Sequence, residues 1–233
     1  MTTGTTPLIH ARGLVKRYRK GSEEIRPVNG LDLDVAEGEL LAIRGPSGSG
    51  KTTLLQMLGG LDPPDEGTLI VAGADLTAIG EAQRCRFRNV NVGFVFQVFH
   101  LVPVLTALEN VELPLRLTRL SAARRREQAE LALTMVGLKD RLGFRPNELS
   151  GGQQQRVAIA RAIATDPKLL LADEPTGDLD ERSGEEIVEL FVALNREHGK
   201  TVVMVTHDVE KAGRATRQLY FHHGKLEPLE ARP

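Results

Sequence analysis

The chain of 233 residues carries 31 acidic and 30 basic side chains, so it has no basic field that would indicate nucleic acid as a partner. Its length is enough to bury one complete core, and its single cysteine, Cys85, excludes an internal disulfide and fits a reducing cytosol. The first residues lack the pattern of a secretory signal, and the longest apolar-rich stretch, residues 92–117, is interrupted by charged residues and prolines. We therefore expect a cytoplasmic chain that reaches a membrane only through a partner.

The N-terminal stretch predicts an antiparallel sheet. Residues 8–15 alternate imperfectly and favour an edge strand, whereas residues 31–35 alternate cleanly between apolar and polar side chains. We expect Tyr18 in a polar turn after the first strand. Two interpretations of Tyr18 are open at this point, namely a stacking face for the planar ring of a ligand or an ordinary cap on the small sheet.

Residues 45–52 read Gly-Pro-Ser-Gly-Ser-Gly-Lys-Thr and match the pattern G-x-x-x-x-G-K-[ST]. A buried strand is expected before them over residues 39–43, and a helix after them over residues 52–58. This context is typical of a phosphate loop, in which backbone N–H groups and the positive end of the helix surround phosphates; the alternative is an ordinary turn. Lys51 would reach the β- and γ-phosphates of a nucleotide, and Thr52 would bind Mg²⁺. The expected nucleotide contacts are Gly45, Ser47, Gly48, Ser49, Gly50, Lys51, Thr52 and Thr53.

Two more apolar runs follow the loop. Residues 67–73 predict a short strand with turns at both ends, and residues 92–96 predict a buried strand that stops at Gln97. Ligands gather at the carboxyl ends of parallel strands, so Gln97 is a candidate site residue. Taken alone, Gln97 is more typical of a surface loop.

The composition then changes to helix formers. Thr106 is expected to cap a helix over residues 107–113 that Pro114 ends, and Ser121 to cap a helix that runs to about Val136. The basic triplet at residues 124–126 is followed at once by acids and indicates a solvated helix face. This stretch predicts a helical subdomain inserted into an α/β core.

Residues 149–156 read Leu-Ser-Gly-Gly-Gln-Gln-Gln-Arg and open a largely buried helix. Two glycines before a helix leave free N–H groups at its positive end, and Ser150 adds a hydroxyl, so a second anion-binding site is predicted. Two such sites in one chain suggest that both serve one nucleotide. If the second site cannot fold back onto the first, it must meet the phosphate loop of another copy.

An apolar strand over residues 169–173 ends in two adjacent carboxylates. Asp173 is placed to hold Mg²⁺, and Glu174 to polarise an attacking water; the alternative is an acidic turn before Pro175. A capping box of Ser183 and Glu186 predicts a helix over residues 184–197. The next strand, residues 201–205, ends before His207, which shares the strand-end level of Gln97 and Asp173. A terminal hairpin is expected over residues 218–226.

The whole set resembles the ATP-binding subunits of ABC transporters, and the resemblance covers almost the entire chain. Residues 45–52 resemble the family's Walker A motif, Gln97 its Q-loop, residues 149–153 its signature motif and residues 169–174 its Walker B motif. Residues 177–180 resemble its D-loop, and His207 its switch histidine. Tyr18 is similar to the aromatic of its A-loop, which favours stacking on adenine. Asp178 departs from the Asn that is usual in the D-loop.

The resemblance implies ATP and Mg²⁺ as ligands and a homodimer that closes head to tail around two ATP molecules. Each ATP would lie between Lys51 of one copy and the signature motif of the other. Glu174 would act as general base, His207 would contact the γ-phosphate, and Gln97 would take part in catalysis and in holding the metal with Thr52 and Asp173. The remaining nucleotide contacts it implies are Ser150, Gly151, Gly152, Gln153 and Asp180.

Within the family, residues 96–103, 106–111, 149–156 and 172–177 look most like the ATPases of lipoprotein-releasing and macrolide-exporting systems. We thus expect a subunit peripheral to the inner face of the cell membrane, gripping a separate permease through residues 97–117. The alternative is a regulatory ATPase of a non-transporting permease complex that controls cell-wall enzymes. A DNA- or ribosome-directed ABC protein is disfavoured because the chain has one domain and no heptad run. A small-molecule kinase would leave residues 149–153 without a role.

The expected architecture is α/β: a P-loop NTPase core with a mostly parallel sheet, an N-terminal antiparallel β-subdomain and an inserted α-helical subdomain. One ABC ATPase domain would cover residues 1–233. Within it we assign residues 1–38 and 67–80 to the β-subdomain, residues 39–60, 90–97 and 165–216 to the nucleotide-binding core, and residues 98–164 to the helical subdomain.

Overall fold

The computed structural model describes residues 7–21 and 23–228. Two sheets and seven α-helices form the described part of the chain. The strands are β1 (Ile9–Lys20), β2 (Glu23–Val35), β3 (Leu40–Arg44), β4 (Glu66–Val71), β5 (Ala74–Asp75), β6 (Val92–Phe96), β7 (Leu169–Asp173), β8 (Thr201–Val205), β9 (Arg217–His222) and β10 (Lys225–Pro228). The helices are α1 (Lys51–Leu58), α2 (Glu81–Asn91), α3 (Ala107–Leu115), α4 (Ala122–Met135), α5 (Gly151–Ile163), α6 (Glu181–Arg196) and α7 (Val209–Ala212).

The small sheet is antiparallel, with strand order β2-β1-β4-β5. The prediction of an edge strand at residues 8–15 is wrong, because Ala11 of β1 pairs with Leu33 on one side and with Leu69 on the other. Register shifts after Ala11, next to the left-handed Gly13, explain the imperfect alternation. Tyr18 is not in a turn either, since β1 continues through it and pairs it with Ile25.

The large sheet has the order β10-β9-β3-β8-β7-β6, and β9, β3, β8, β7 and β6 run parallel. Phe96, Asp173 and Val205 lie level with one another, so β6, β7 and β8 end at one edge of the sheet. The predicted mostly parallel sheet is therefore present. The predicted terminal hairpin is also present, and β9 extends the large sheet beyond the predicted core range.

Alternate residues of the central strands point into two separate cores, which places the large sheet between two layers. On one face Ala42, Leu170 and Met204 pack with α3, α4, α5 and α6, and on the other Ile43 and Leu171 pack with α1 and the small sheet. Strands buried on both faces are expected to be continuously apolar, as β7 and β8 are.

Helix ends follow the local capping chemistry. Ser121 and Thr106 cap α4 and α3 as predicted. Pro114 does not end α3, which continues to Leu115. The predicted capping box of Ser183 and Glu186 is wrong: α6 begins earlier, because Asp180 Oδ1 accepts a 2.9 Å hydrogen bond from the Ser183 amide.

Helix α2 was not predicted, and it contains Cys85. Of its side chains only Phe87 is buried, so it lacks a clear apolar stripe. Arg88 compensates by donating to the carbonyl of Gly60 at 2.6 Å and by pairing with Glu81 at 3.0 Å. Across the described residues, none of the helices combines the length and the apolar character needed to span a membrane.

Candidate nucleotide-binding site

The phosphate loop, residues 45–52, joins the carboxyl end of β3 to the start of α1. The Lys51 side chain lies within it and is only 6% exposed. Its Nζ donates to the carbonyls of Gly45 at 2.9 Å and Pro46 at 2.8 Å. Burial lowers the pKa of Lys51, and the nearby carboxylates of Glu174 and Asp173 oppose that shift. The loop thus holds an ammonium group beside the end of a helix.

The N-cap of α1 is Gly50, which provides no side-chain hydrogen bond to the first turn. Its φ is 111°, and a Cβ there would lie 2.5 Å from the carbonyl oxygen of Pro27, so only glycine fits. No side-chain cap therefore occupies the first N–H groups of α1, which face the loop. An uncapped helix start beside a buried lysine is a site for an anion.

A cavity of about 240 Å³ opens on this loop. Its lining is formed by Tyr18, Ile25, Pro27, Gly48, Gly50, Lys51, Thr52 and Thr53. The structure therefore brings Tyr18 together with the phosphate loop, although the loop begins 27 positions later in the sequence. The cavity combines an aromatic wall with a phosphate-binding floor.

Tyr18 is held in place by residues that the sequence analysis missed. Its hydroxyl donates to Asp62 Oδ2 at 2.6 Å, and Asp62 also forms an ion pair with Lys16. Lys16 is 7% exposed, donates to the carbonyl of Pro63 at 2.8 Å, and lies 5.6 Å from the centre of the Tyr18 ring. Burial and the Asp62 carboxylate raise the pKa of Tyr18 to about 12, so the phenol is neutral. The signal in the sequence is that Lys16 and Tyr18 are two apart on one strand face.

Asp173 ends β7 beside the phosphate loop. Burial raises its pKa, the Glu174 charge adds to that shift, and a hydrogen bond with Thr52 and the Lys51 charge oppose it. Its Oδ1 is buried and has no partner in the described part of the chain. A free carboxylate oxygen next to a threonine hydroxyl suits the oxygen preference of Mg²⁺. Within residues 7–21 and 23–228, no group of three or more His, Cys, Asp or Glu is arranged to hold a metal ion.

Glu174 and His207 meet at the ends of β7 and β8. Glu174 Oε2 lies 2.9 Å from His207 Nδ1 and accepts a longer, 3.4 Å bond from the His207 amide. The backbone of Glu174 is left-handed, with φ of 47°, and its N–H donates to the carbonyl of Val205 at 3.0 Å. The Glu174 side chain is 19% exposed and that of His207 is 73% exposed. A carboxylate and an imidazole are thus paired at the mouth of the sheet.

Gln97 follows β6 at the same sheet edge, and its amide is bonded to the 177–180 segment. Gln97 Nε2 donates to Asp178 Oδ1 at 2.7 Å. Gly177 allows this approach, because a Cβ there would lie 2.9 Å from Gln97 Cδ. The structure therefore ties Gln97 to the 177–180 segment instead of directing it to the expected metal position.

The start of α5, which the sequence predicts as a second anion-binding site, lies in a different place from the phosphate loop. Ser150 caps α5, and its Oγ accepts a 3.3 Å hydrogen bond from the Gln153 amide. The Ser150 amide in turn donates to Gln153 Oε1 at 3.0 Å. A Cβ on Gly152 would lie 3.1 Å from Ser183, and one on Gly151 would lie 3.4 Å from Leu179. The Ser150–Gly152 tip thus packs beside the start of α6, where Asp180 serves as the helix cap. It does not line the cavity of the phosphate loop.

Sequence reasoning also missed Gln155, whose side chain is fully buried. It shares the helical spacing of Ala158, Ile159 and Ala162, which are all buried, so a glutamine on the apolar stripe of α5 was the available signal. A buried amide in that position needs partners, and it finds them in two carbonyls at the strand ends.

Comparison with known proteins shows the family to which the chain belongs. A family profile described as ABC transporter matches residues 28–177. An uncharacterized ABC transporter ATP-binding protein of Thermotoga maritima is 49% identical over 217 residues, which cover 93% of this chain and 92% of that protein. The lipoprotein-releasing system ATP-binding protein LolD of Legionella pneumophila is 45% identical over 223 residues, which cover 96% of this chain and 98% of that protein.

Two solved structures of the cassette MJ0796, a protein of Methanocaldococcus jannaschii, have the same fold. A dimeric post-hydrolysis state bound to ADP and Pi superposes with a TM-score of 0.86 at 44% identity, and a second dimeric structure with a TM-score of 0.87 at 45% identity. Each comparison covers 94% of this chain and 96% of the other. The predicted fold class is therefore confirmed.

Proposed function

Because the chain belongs to the ABC transporter family, as an ATP-binding subunit of the ABC ATPase type, we propose that it drives a membrane permease by closing as a homodimer around ATP. The observation that carries this proposal is the separation of the two anion-binding tips. The phosphate loop lines one cavity, and the Ser150–Gly152 tip packs at the start of α6 outside it. Each tip then needs a second copy to complete a site.

In the proposed site, ATP binds first to the loop of one copy. Its adenine stacks on Tyr18, and its phosphates accept from the N–H groups of the phosphate loop and from Lys51. Lys51 releases the carbonyls of Gly45 and Pro46 to reach the β- and γ-phosphates, since those carbonyls are its present partners. The contacts of this step are Tyr18, Gly45, Ser47, Gly48, Ser49, Gly50, Lys51, Thr52 and Thr53.

Mg²⁺ fits the same site through the Thr52 hydroxyl and the unpartnered oxygen of Asp173, with Gln97 joining them once it leaves Asp178. When bound, the ion neutralises charge on the β- and γ-phosphates.

Glu174 is the proposed general base. Its carboxylate takes a proton from a water, whose oxygen then forms a bond to the γ-phosphorus while the bond to the β-γ bridging oxygen breaks, giving ADP and phosphate. His207 already contacts this carboxylate at 2.9 Å, which orients it, and we propose that the exposed imidazole also reaches the γ-phosphate. The left-handed backbone of Glu174 fixes the base at the end of β7.

Closure of the dimer completes the site. The tip of the partner copy (Ser150, Gly151, Gly152 and Gln153) brings a second positive helix end to the phosphates, with Asp180 on the adjoining segment. The negatively charged triphosphate of ATP joins two helix ends that otherwise repel, so closure requires ATP and hydrolysis releases it. The dimeric MJ0796 structures, one of them bound to ADP and Pi, support this assembly for the present chain.

Residues 97–117 are the proposed permease surface, at the inner face of the membrane. Four aliphatic side chains of this stretch are exposed: Val98, Val102, Val104 and Leu117. A groove of about 230 Å³ opens beside it between β6, α3 and α5, with Phe94, Phe96, Pro114 and Arg161 in its walls. An apolar rim around a groove that contains one arginine suits a short amphipathic segment of a membrane protein.

We assign the permease to the lipoprotein-releasing or macrolide- and peptide-exporting type. The motif stretches that resemble those ATPases support this, as does the 45% identity to a LolD protein. A permease of this type would do mechanical work on a cargo that this subunit does not touch.

Co-purification tests the proposal. The wild-type chain should retain its permease in mild detergent and hydrolyse MgATP, while Lys51→Ala should keep the permease and lose nucleotide affinity. Stimulation of turnover by a lipoprotein or an exported compound supports transport. If no cargo stimulates turnover and a cell-wall hydrolase co-purifies with the complex, the result would favour the regulatory function over transport. Unchanged nucleotide affinity in Lys51→Ala would remove the phosphate loop from the site.

A further inference from the structure

Gln155 bridges two backbone segments that carry site residues. Its side chain is fully buried, and Nε2 donates to the carbonyl of Phe96 at 3.1 Å and to that of Pro175 at 2.6 Å. Phe96 directly precedes Gln97, and Pro175 directly follows Glu174. One amide group therefore holds both strand ends at the site.

The two hydrogen bonds of Gln155 lie just beyond the point where the pairing of β6 with β7 ends. The parallel pairing of β6 with β7 ends at Phe96 and Asp173. Beyond that point Gln155 Nε2 donates to the carbonyls of both segments, Phe96 on one and Pro175 on the other. The positions of Gln97 and Glu174 thus depend on a side chain of α5.

The same helix carries the Ser150–Gly152 tip at its start. Arg161, further along α5, donates to the carbonyls of His100 at 2.6 Å and Phe99 at 2.8 Å. Helix α5 is therefore bonded to the segment of Gln97 on both sides. A shift of the tip moves the backbone on which the catalytic side chains stand.

Only one end of the Gln155 amide is bonded within the described residues. Nε2 donates to two carbonyls, whereas Oε1 is buried and has no partner in the described part of the chain. An apolar side chain of the same length would make neither of these two bonds. The N–H donors are therefore the part of the amide that the neighbouring backbone uses.

We propose that Gln155 is a positioning residue that couples engagement of the Ser150–Gly152 tip to the alignment of Glu174 and Gln97. This inference rests on the proposed function, since it assigns to Gln155 the transmission of dimer closure to the catalytic base. The Gln155 side chain is fully buried, and it acts through the carbonyls of Phe96 and Pro175.

The test compares Gln155→Met with a matched control, Asn195→Leu, in the full-length chain. Asn195 is also a buried amide that bridges two carbonyls, those of Gly38 and Lys200, both at 2.8 Å, at the far end of α6. Both variants lose two buried hydrogen bonds, so their melting temperatures should fall alike. Only Gln155→Met should lower kcat, by about tenfold or more, because a small displacement of a base costs turnover heavily. Its KM for MgATP should stay within about twofold of wild type.

Equal kcat values in Gln155→Met and Asn195→Leu would overturn the inference while leaving the proposed function intact. Absence of MgATP turnover in the wild-type chain would overturn the proposed function and this inference with it. If Gln155→Met does not fold, Gln155→Asn takes its place in the test. The asparagine keeps the amide, but its side chain is one methylene shorter and can reach at most one of the two carbonyls. Its kcat should fall below that of Asn195→Leu with KM unchanged, and a kcat equal to the control would refute the coupling.

Discussion

Gln97 and Asp178 are joined by a 2.7 Å hydrogen bond between Nε2 and Oδ1, across 81 residues of sequence. The bond closes over Gly177, whose missing side chain leaves room for the glutamine. In this arrangement the amide of Gln97 is engaged, and it must leave Asp178 before it can take part in binding Mg²⁺. In the proposed metal site, Asp178 therefore competes with Mg²⁺ for the side chain of Gln97.

Removing the Asp178 acceptor should lower the Mg²⁺ concentration that ATP turnover requires. In Asp178→Ala the amide of Gln97 is free, so the Mg²⁺ concentration that gives half-maximal ATP turnover should fall by about two- to tenfold, because a competing conformation has been removed. Both side chains are exposed, which keeps the effect modest. Asp178→Asn keeps an Oδ1 acceptor, so its Mg²⁺ requirement should lie between those of the wild type and of Asp178→Ala. An unchanged or higher Mg²⁺ requirement in Asp178→Ala would show that the bond does not compete with the metal.

The Lys16, Asp62 and Tyr18 cluster predicts an effect on ATP affinity without an effect on chemistry. Lys16→Met removes the cation that holds Asp62 and lies beside the Tyr18 ring, so the aromatic wall of the cavity loosens. KM for ATP should rise by about threefold to tenfold while kcat changes little, as expected for lost uniform binding. Arg19→Met, on the exposed face of the same strand, is the matched control. Identical KM values in the two variants would remove Lys16 from the site.

Local chemistry explains which parts of this architecture the sequence reveals. Thr106 and Ser121 cap their helices as predicted because capping depends on neighbouring residues. Strand β8 has the predicted bounds because all five of its residues are buried and the last four, Val202–Val205, are consecutively apolar. The phosphate loop was found because its spacing and its strand-to-helix setting are both local.

Long-range pairing explains what the sequence does not reveal. Nothing near Ala11 shows that β1 is flanked on both sides, since its second partner, Leu69, lies far along the chain. Helix α2 escaped prediction because its single buried side chain, Phe87, gives no period. The carbonyl partners of Gln155 are 59 and 20 residues away, so only the fold brings them together.

Glu174→Gln should separate binding from hydrolysis. The amide keeps the shape of the side chain and a contact with His207, but it cannot accept a proton from water. Turnover should fall by at least about a hundredfold, while ATP binding persists and gel filtration with MgATP shows a trapped dimer. Glu210→Gln, an exposed acid close to His207 in sequence, should behave as wild type. Turnover near the wild-type value in Glu174→Gln would take the base role away from this residue.

Replacing Asp173 should increase the stability of the fold and abolish metal binding, and the gain in stability should depend on pH. Burial raises its pKa in the folded chain, so folding is penalised at pH values above that raised pKa. As the pH falls, the penalty shrinks through the raised pKa and is gone below the ordinary value of an Asp. Asp173→Asn should thus raise the melting temperature at neutral pH and lose this advantage in acid, while its Mg²⁺-dependent turnover is lost.

The control for this comparison is Asp140→Asn, a substitution at an exposed carboxylate outside the site. Its melting temperature should follow that of the wild type at each pH. A stabilisation of Asp173→Asn that is the same in acid and at neutral pH would contradict the burial of a charge at Asp173.

The central claim is that one ATP lies between the phosphate loop of one copy and the Ser150–Gly152 tip of the other. It is tested most directly by mixing Lys51→Ala with Ser150→Arg, both in the Glu174→Gln background, and measuring the molecular mass with MgATP. In the mixed dimer both defects fall on one site, and the other site keeps an intact Lys51 and an intact Ser150. The account predicts that neither protein dimerises alone and that the mixture does; a mixture that stays monomeric, at ATP concentrations that dimerise Glu174→Gln alone, would contradict it.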